Sequence, residues 1–316
     1  MRVTRSGLRG VAIVRLAIIV ALLSGVAPAF AFTIFACEPE WAALGRELMP
    51  DARIDVATRS GQDPHHIEAR PALIAQLRSA DLAVCTGASL EVGWLPLLQE
   101  RAGNGRIQSG APGMFFAAEQ VELIDKRAAT LNPLQGDVHA EGNPHIHADP
   151  HRLLAIARRL AERMQGLAPQ QATAIGQRRA DFEARWQSQI DRWEPQTQPL
   201  RGARVAAQHA TFGYLWRWLG IEKVADLEPR PGLSPTPGHL QGLLQALRQT
   251  PPIAVVVAGY HDPRAGRWVV GQLAGGVPLL VLPAGPVDPN APDALARWYD
   301  AMLGPLIEAA TRSPRN

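Results

Sequence analysis

The sequence predicts an α/β protein of two lobes, each a mostly parallel sheet covered by helices, joined by a long rigid helix with a metal site in the cleft between them. Three observations carry this expectation. Short apolar runs of β type alternate with longer segments of helical period in both halves of the chain. The middle, from Pro150 to Trp193, has no strand signal and is rich in Ala, Arg, Gln, Glu and Leu, which are good helix formers. Histidines cluster in loops next to the strand-like runs, where open α/β sheets bind ligands.

The chain has 316 residues, 47% hydrophobic and 19% charged, which excludes disorder and a coiled coil. Its length suggests two domains. The formal charge of +3 owes its sign to Arg2, Arg5, Arg9 and Arg15, because the first 31 residues contain no Asp or Glu. Without those four, 28 basic residues face 29 acidic ones, a net of −1, so no nucleic-acid partner is expected.

Residues 1–31 read as a secretory signal peptide. Arginines lead into an apolar run, Leu16 to Leu23, and the triplet Ala29-Phe30-Ala31 ends it, with cleavage expected after Ala31. The run is far shorter than the ~20 residues that span a bilayer. Cys37 lies six residues beyond Ala31, so a lipid anchor is not indicated.

In the first lobe the alternating segments are Phe32–Cys37, Glu40–Leu48, Ile54–Ala57, Pro71–Ser79 and Leu82–Thr86. Cys37 and Cys85 end two of the strand-like runs. An exported chain meets an oxidising compartment, and the choice between a disulfide and two buried thiols stays open because geometry decides it. After a break near Pro169, Ile175, Phe182, Trp186, Ile190 and Trp193 mark one apolar face of a helix that connects the lobes, the alternative being a helical hairpin inside one domain. The second lobe repeats the alternation with Arg204–Gln208, Thr211–Leu219, His239–Gln249, Ile253–Ala258, Ala265–Ala274, Pro278–Leu282 and Asp293–Ala310. A loop dense in Pro and Gly runs from Glu228 to Gly238. The resulting division is a leader 1–31, a first lobe 32–166, a connecting helix 167–198 and a second lobe 199–316. Phe212, Leu215, Trp216 and Leu219 are expected to form the core face of their helix rather than a ligand cage.

Nine histidines are present, and His139, His145, His147 and His151 fall within thirteen residues. Imidazole is the usual nitrogen ligand of zinc, and a site needs three or four donors converging from separate loops. His209 follows the strand-like Arg204–Gln208, His65 follows Ile54–Ala57, and His145 sits in a Pro-bounded loop. With the lobes facing each other, two of these come from the first lobe and one from the second. His66, His147 and His151 read as supporting or exposed residues.

Four motifs then bear a family resemblance: Asp63-Pro64-His65-His66-Ile67-Glu68; Asn143-Pro144-His145-Ile146-His147-Ala148-Asp149-Pro150; His209-Ala210-Thr211-Phe212-Gly213-Tyr214; and Ser234-Pro235-Thr236-Pro237-Gly238-His239-Leu240. In this order the chain resembles the zinc/manganese solute-binding proteins of ABC transporters. The resemblance implies Rossmann-like lobes on a rigid backbone helix, a periplasmic location, a monomer, an ABC-type membrane permease as partner, and a metal ion as cargo rather than substrate of an enzyme. Carried over, the ligands are His65, His145 and His209. The family's fourth ligand is an acidic residue after the last strand of the second lobe, for which Asp288 is the candidate, then Asp262, then a water. Manganese members have a carboxylate at the third position, where this chain has His209, so zinc is the expected cargo over manganese or iron. Only Gly136–Gly142 remains of the long Asp/His-rich loop of many zinc members, so a scavenging loop is at most vestigial. Neutral His ligands also imply that affinity falls as pH drops through the imidazole range near ~6.5. The metal-free form is expected to differ in loop order around Gly136–Asp149 and Glu228–Gly238 rather than in hinge closure.

Two rival classes remain. A metal-dependent adhesin would reuse the cleft for a protein partner. A zinc hydrolase would use His145-Ile146-His147 with Asp262 or Glu68 as base, but nothing resembles His-Glu-x-x-His.

Overall fold

Two four-stranded parallel sheets organise the chain in the computed structural model, which describes residues 32–126 and 136–312. The signal-peptide expectation lies outside the described residues. In the first lobe, β1 (Thr33–Ala36), β2 (Arg53–Val56), β3 (Leu82–Cys85) and β4 (Met114–Phe116) stand in the order β2-β1-β3-β4. In the second, β5 (Arg204–Ala207), β6 (Glu222–Asp226), β7 (Ala254–Ala258) and β8 (Leu279–Leu282) stand in the order β6-β5-β7-β8. Every pairing is parallel, so each connection crosses a sheet face, and helices cover those faces. The central strands β1, β3 and β7 are wholly buried, which is why they read as unbroken apolar runs.

Pro39 opens α1 (Pro39–Leu48) and Pro71 opens α2 (Pro71–Ser79), each in the first turn, where a missing N–H costs nothing. α3 spans Leu95–Ala102 and ends on Gly103, whose φ of +62° supplies the left-handed cap. The middle of the chain forms α4 (Pro150–Leu167), capped by the Asp149 side chain, then one short 3-10 turn from Pro169, then α5 (Ala172–Gln196). The break falls at Pro169, whose ring removes a backbone donor and crowds the preceding turn. Ile175, Phe182, Trp186, Ile190 and Trp193 are all buried, as their spacing predicts.

The second lobe holds α6 (Gly213–Leu219), α7 (Pro237–Gln249), α8 (Arg264–Gln272) and α9 (Ala294–Arg312). α5 packs on α4 and α1 from one lobe and on α9 from the other. Tyr299 of α9 stacks on Trp193 with ring centroids 4.9 Å apart and donates from its hydroxyl to the His147 carbonyl at 2.6 Å. One hydrophobic cluster therefore runs from β1 through α4 and α5 to α9. Cys37 and Cys85, at the ends of adjacent strands, form a disulfide with Cα atoms 4.8 Å apart. Among the described residues no helix is long and apolar enough to cross a membrane.

Candidate metal centre

Local hydrogen bonding aims each histidine. Asp63 Oδ1 accepts both the His65 backbone N–H, at 3.0 Å, and the ring Nδ1, at 2.7 Å. Asn143 Oδ1 accepts the His145 N–H at 3.0 Å, while Asn143 Nδ2 donates across to the Ala210 carbonyl at 3.0 Å. That bond ties the loops of the second and third ligand motifs together. His209 has φ of +66°, a left-handed conformation uncommon outside glycine, held by its N–H donating to Asp226 Oδ1 at 3.1 Å. Its ring Nδ1 lies 2.9 Å from Glu228 Oε2. A carboxylate at Nδ1 keeps the proton there and leaves the Nε2 lone pair for a metal.

The three rings converge from both lobes. Their centroids are 5.6 Å (His65–His145), 5.4 Å (His65–His209) and 5.5 Å (His145–His209) apart, and one nitrogen from each lies within 4.8 Å of the others. All three are buried, and Nε2 of both His145 and His209 has no hydrogen-bond partner. Buried orphan nitrogens at one point are costly unless something binds them. Burial, reinforced by the His209 and His65 rings, holds the His145 imidazole well below its ordinary range, so it is neutral. Burial also lowers His209, but Glu228 outweighs it and raises that ring above its ordinary value. For Asp63, burial favours protonation, yet the bonds and charge of His65 hold the carboxyl at about 2.

A further imidazole lies beside His65. His139 Nε2 stands 3.2 Å from His65 Nε2. Two nitrogens on one tetrahedral zinc, each at ~2.0–2.1 Å, are about 3.3 Å apart. Burial pushes His139 down to about 4, so it too is a neutral donor. The loop read as vestigial thus delivers one histidine to the cleft. Asp137, beside it, donates its N–H to the Pro231 carbonyl at 3.0 Å, which clasps loop 136–142 to loop 228–238.

The structure does not bring the other predicted carboxylates here. Asp288 is exposed, and its Oδ1 accepts the Asn290 N–H at 2.9 Å. Its loop is drawn along the outside of the first lobe by Arg46, which donates to Asn290 Oδ1 at 2.9 Å, and by Ser60, which donates to the Gly285 carbonyl at 2.6 Å. Asp262 is likewise exposed and paired with Arg264. Two residues escaped the sequence reading. His139 sat in a segment too short to look functional, and Glu228 passed as the first residue of a Pro/Gly loop; only its place two residues past a strand end marked it. His66 is exposed, with 71% of its side chain accessible, whereas His147 is buried 3.1 Å from Glu40 Oε1.

A family model described as ZnuA, zinc-uptake complex component A, periplasmic, matches residues 34–309. The chain belongs to the ZnuA family. It is a metal-binding solute-binding protein, a transport component and not an enzyme, as the sequence predicts. The high-affinity zinc uptake system protein ZnuA of Yersinia pestis is 22% identical over 259 residues, 78% of each chain. A crystal structure of ZnuA superposes with a TM-score of 0.70 at 20% identity, covering 90% of this chain and all of the other. A mutant laminin-binding adhesin, Lmb, from Streptococcus agalactiae gives 0.71 at 17% identity, covering 88% and 99%. The solute-binding protein FpvC of Pseudomonas aeruginosa, in complex with Mn2+, gives 0.68 at 19% identity, covering 90% and 100%. At these identities the structural likenesses establish the fold, and ZnuA membership establishes the class.

Proposed function

We propose that this chain captures Zn2+ in the periplasm and delivers it to an ABC-type membrane permease. It acts as a monomer holding one tightly bound ion, exported by a cleavable leader 1–31, with lobes 32–166 and 199–316 on the connecting helix 167–198. The ligands are His65, His145 and His209, with His139 in the fourth position that Asp288 was expected to fill. The single observation behind this reading is the convergence of three buried imidazoles from both lobes, with the Nε2 atoms of His145 and His209 unpartnered. An all-nitrogen set suits a borderline-soft tetrahedral ion, whereas Mn2+ favours oxygen donors. FpvC is named in complex with Mn2+, so selectivity is part of the test.

The purified protein is analysed for metal and titrated with Zn2+ and Mn2+, beside His65→Ala, His145→Ala and His209→Ala. The expected result is one tight Zn2+, a much weaker Mn2+, and loss of tight zinc in each variant. Tight zinc in the His209 variant would remove the second lobe from the site, and with it the zinc preference. N-terminal sequencing of exported protein checks cleavage after Ala31, and zinc uptake by cells carrying the intact or disrupted permease checks the partner.

A further inference from the structure

The loop that carries His145 belongs to the first lobe by sequence, yet its backbone is held by the second. Tyr214 of α6 is fully buried, and its hydroxyl donates to the Asn143 carbonyl at 2.8 Å and accepts the Ile124 N–H at 3.1 Å. Tyr299 of α9, also fully buried, donates from its hydroxyl to the His147 carbonyl at 2.6 Å. The two phenols thus grip the chain two residues before and two residues after His145.

Two further contacts close the grip. The Asn143 side chain accepts the His145 N–H and donates to the carbonyl of Ala210, the residue after His209. A Cβ on Gly213 would stand 2.6 Å from Asn143 Nδ2 and displace an amide bonded at both ends, so this close approach calls for a glycine just ahead of Tyr214. The run from His209 to Tyr214 therefore supplies an imidazole, the surface on which Asn143 lies and the hydroxyl that holds the Asn143 carbonyl. His65 is anchored differently. Asp63 fixes its ring, and Trp94 Nε1 donates to the Pro64 carbonyl at 2.9 Å, both within the first lobe. A bond from its loop to the second lobe, Ser60 to the Gly285 carbonyl, lies five residues away.

We propose that Tyr214 and Tyr299 are positioning residues for the metal, holding the His145 loop on the second lobe so that His145 and His209 form one preassembled pair to which the first lobe adds His65. A hydroxyl–carbonyl bond in a dry interior is strong and leaves both groups unsatisfied when broken, so the loop follows the lobe that provides the phenols. Preassembly of two donors removes part of the ordering cost of binding. The inference rests on His65, His145 and His209 being the ligands.

Zinc affinity, by competition against a chelator, and the d–d absorption of bound Co2+ are measured on purified wild type, Tyr214→Phe and Tyr299→Phe, and on the same substitutions in His145→Ala and His65→Ala backgrounds. Each Phe keeps the buried ring and removes only the hydroxyl, and far-UV circular dichroism confirms folding. Both Phe variants should bind zinc roughly fivefold to tenfold more weakly and show an altered Co2+ band, because the His145 imidazole is no longer fixed against His209. That loss should persist in His65→Ala and vanish in His145→Ala, where the positioned ring is gone. Wild-type affinity and Co2+ band in both Phe variants, or a loss of full size in the His145→Ala background, would overturn the positioning role whatever happens to Tm. Tight zinc in His145→Ala alone would instead overturn the ligand assignment on which the inference stands.

Discussion

The Nε2 atoms of His65 and His139 stand 3.2 Å apart although the residues are 74 positions apart in the chain. His65 is fixed by Asp63, whereas His139 rides on a short loop whose backbone is clasped to Pro231 in the second lobe. One donor is built into a lobe and the other arrives with a loop, so removing them should differ in consequence.

His139→Ala should weaken zinc binding by roughly tenfold to a hundredfold while keeping one ion per chain, since water can take a vacated fourth position. His65→Ala should abolish tight binding. Competition against a chelator of known affinity measures both. Equal losses in the two variants would place His139 among the indispensable ligands.

The clasp makes a prediction about order. Gly136 and Gly232 both have φ of +76°, and a Cβ on Gly232 would run into the Asp137 carboxylate. Gly232→Ala should therefore unlatch loops 136–142 and 228–238, since both the backbone conformation and the space reject a side chain. Limited proteolysis should cut those loops faster in metal-free wild type than with zinc, and fastest in Gly232→Ala. Identical cleavage patterns with and without zinc would contradict a loop-ordering role.

A group of buried acids predicts the pH dependence of metal-free stability. Burial raises Glu38 well above the ordinary carboxyl value, Glu91 to about 7 and Glu40 to about 8, with neighbouring carboxyls adding to the rise at Glu38 and Glu40. These acids are protonated in the fold, so their contribution is complete below ~4.5 and is lost as pH rises through 7 to 8. Burial holds His139 and His147 near 4, and their contribution has the opposite sign, present above ~6.5 and lost as pH falls toward 4. Stability should peak near pH 6 and fall toward 8.5. Glu40→Gln, which mimics the protonated acid, should be near neutral at pH 5 and stabilising by a few kcal/mol at pH 8.5. Thermal melts in the presence of EDTA across this range measure it, and a parallel decline in wild type and variant would show that Glu40 does not titrate with folding.

The disulfide closes a loop of 48 residues inside the first lobe. Loop-closure entropy for that length is worth about 4 kcal/mol. Cys37→Ser/Cys85→Ser should lower Tm clearly yet leave the zinc stoichiometry unchanged, because both cysteines belong to a buried apolar cluster that contains none of the histidines. Calorimetry with and without zinc separates the two effects.

The sequence by itself determined the two-lobed α/β architecture, the long helical middle and three of the converging histidines. Alternation and helical period are local signals, and Asp63-Pro64-His65, Asn143-Pro144-His145 and the strand-end His209 carry their own orienting groups within a few residues or at a strand terminus. Two of the four edge strands, β4 and β6, were the part of the fold that stayed hidden. β4 has three residues and β6 carries Glu222, Lys223 and Asp226, so neither shows the apolar run of a central strand. Only the tertiary structure decided the rest of the site. His139 meets His65, and Glu228 meets His209, through loop packing, and Asp288 is carried away by contacts of Arg46 and Ser60 that lie more than two hundred residues earlier in the chain. A ligand held by its own loop is visible in a local motif. A ligand supplied by two surfaces meeting exists only once their burial has brought them together.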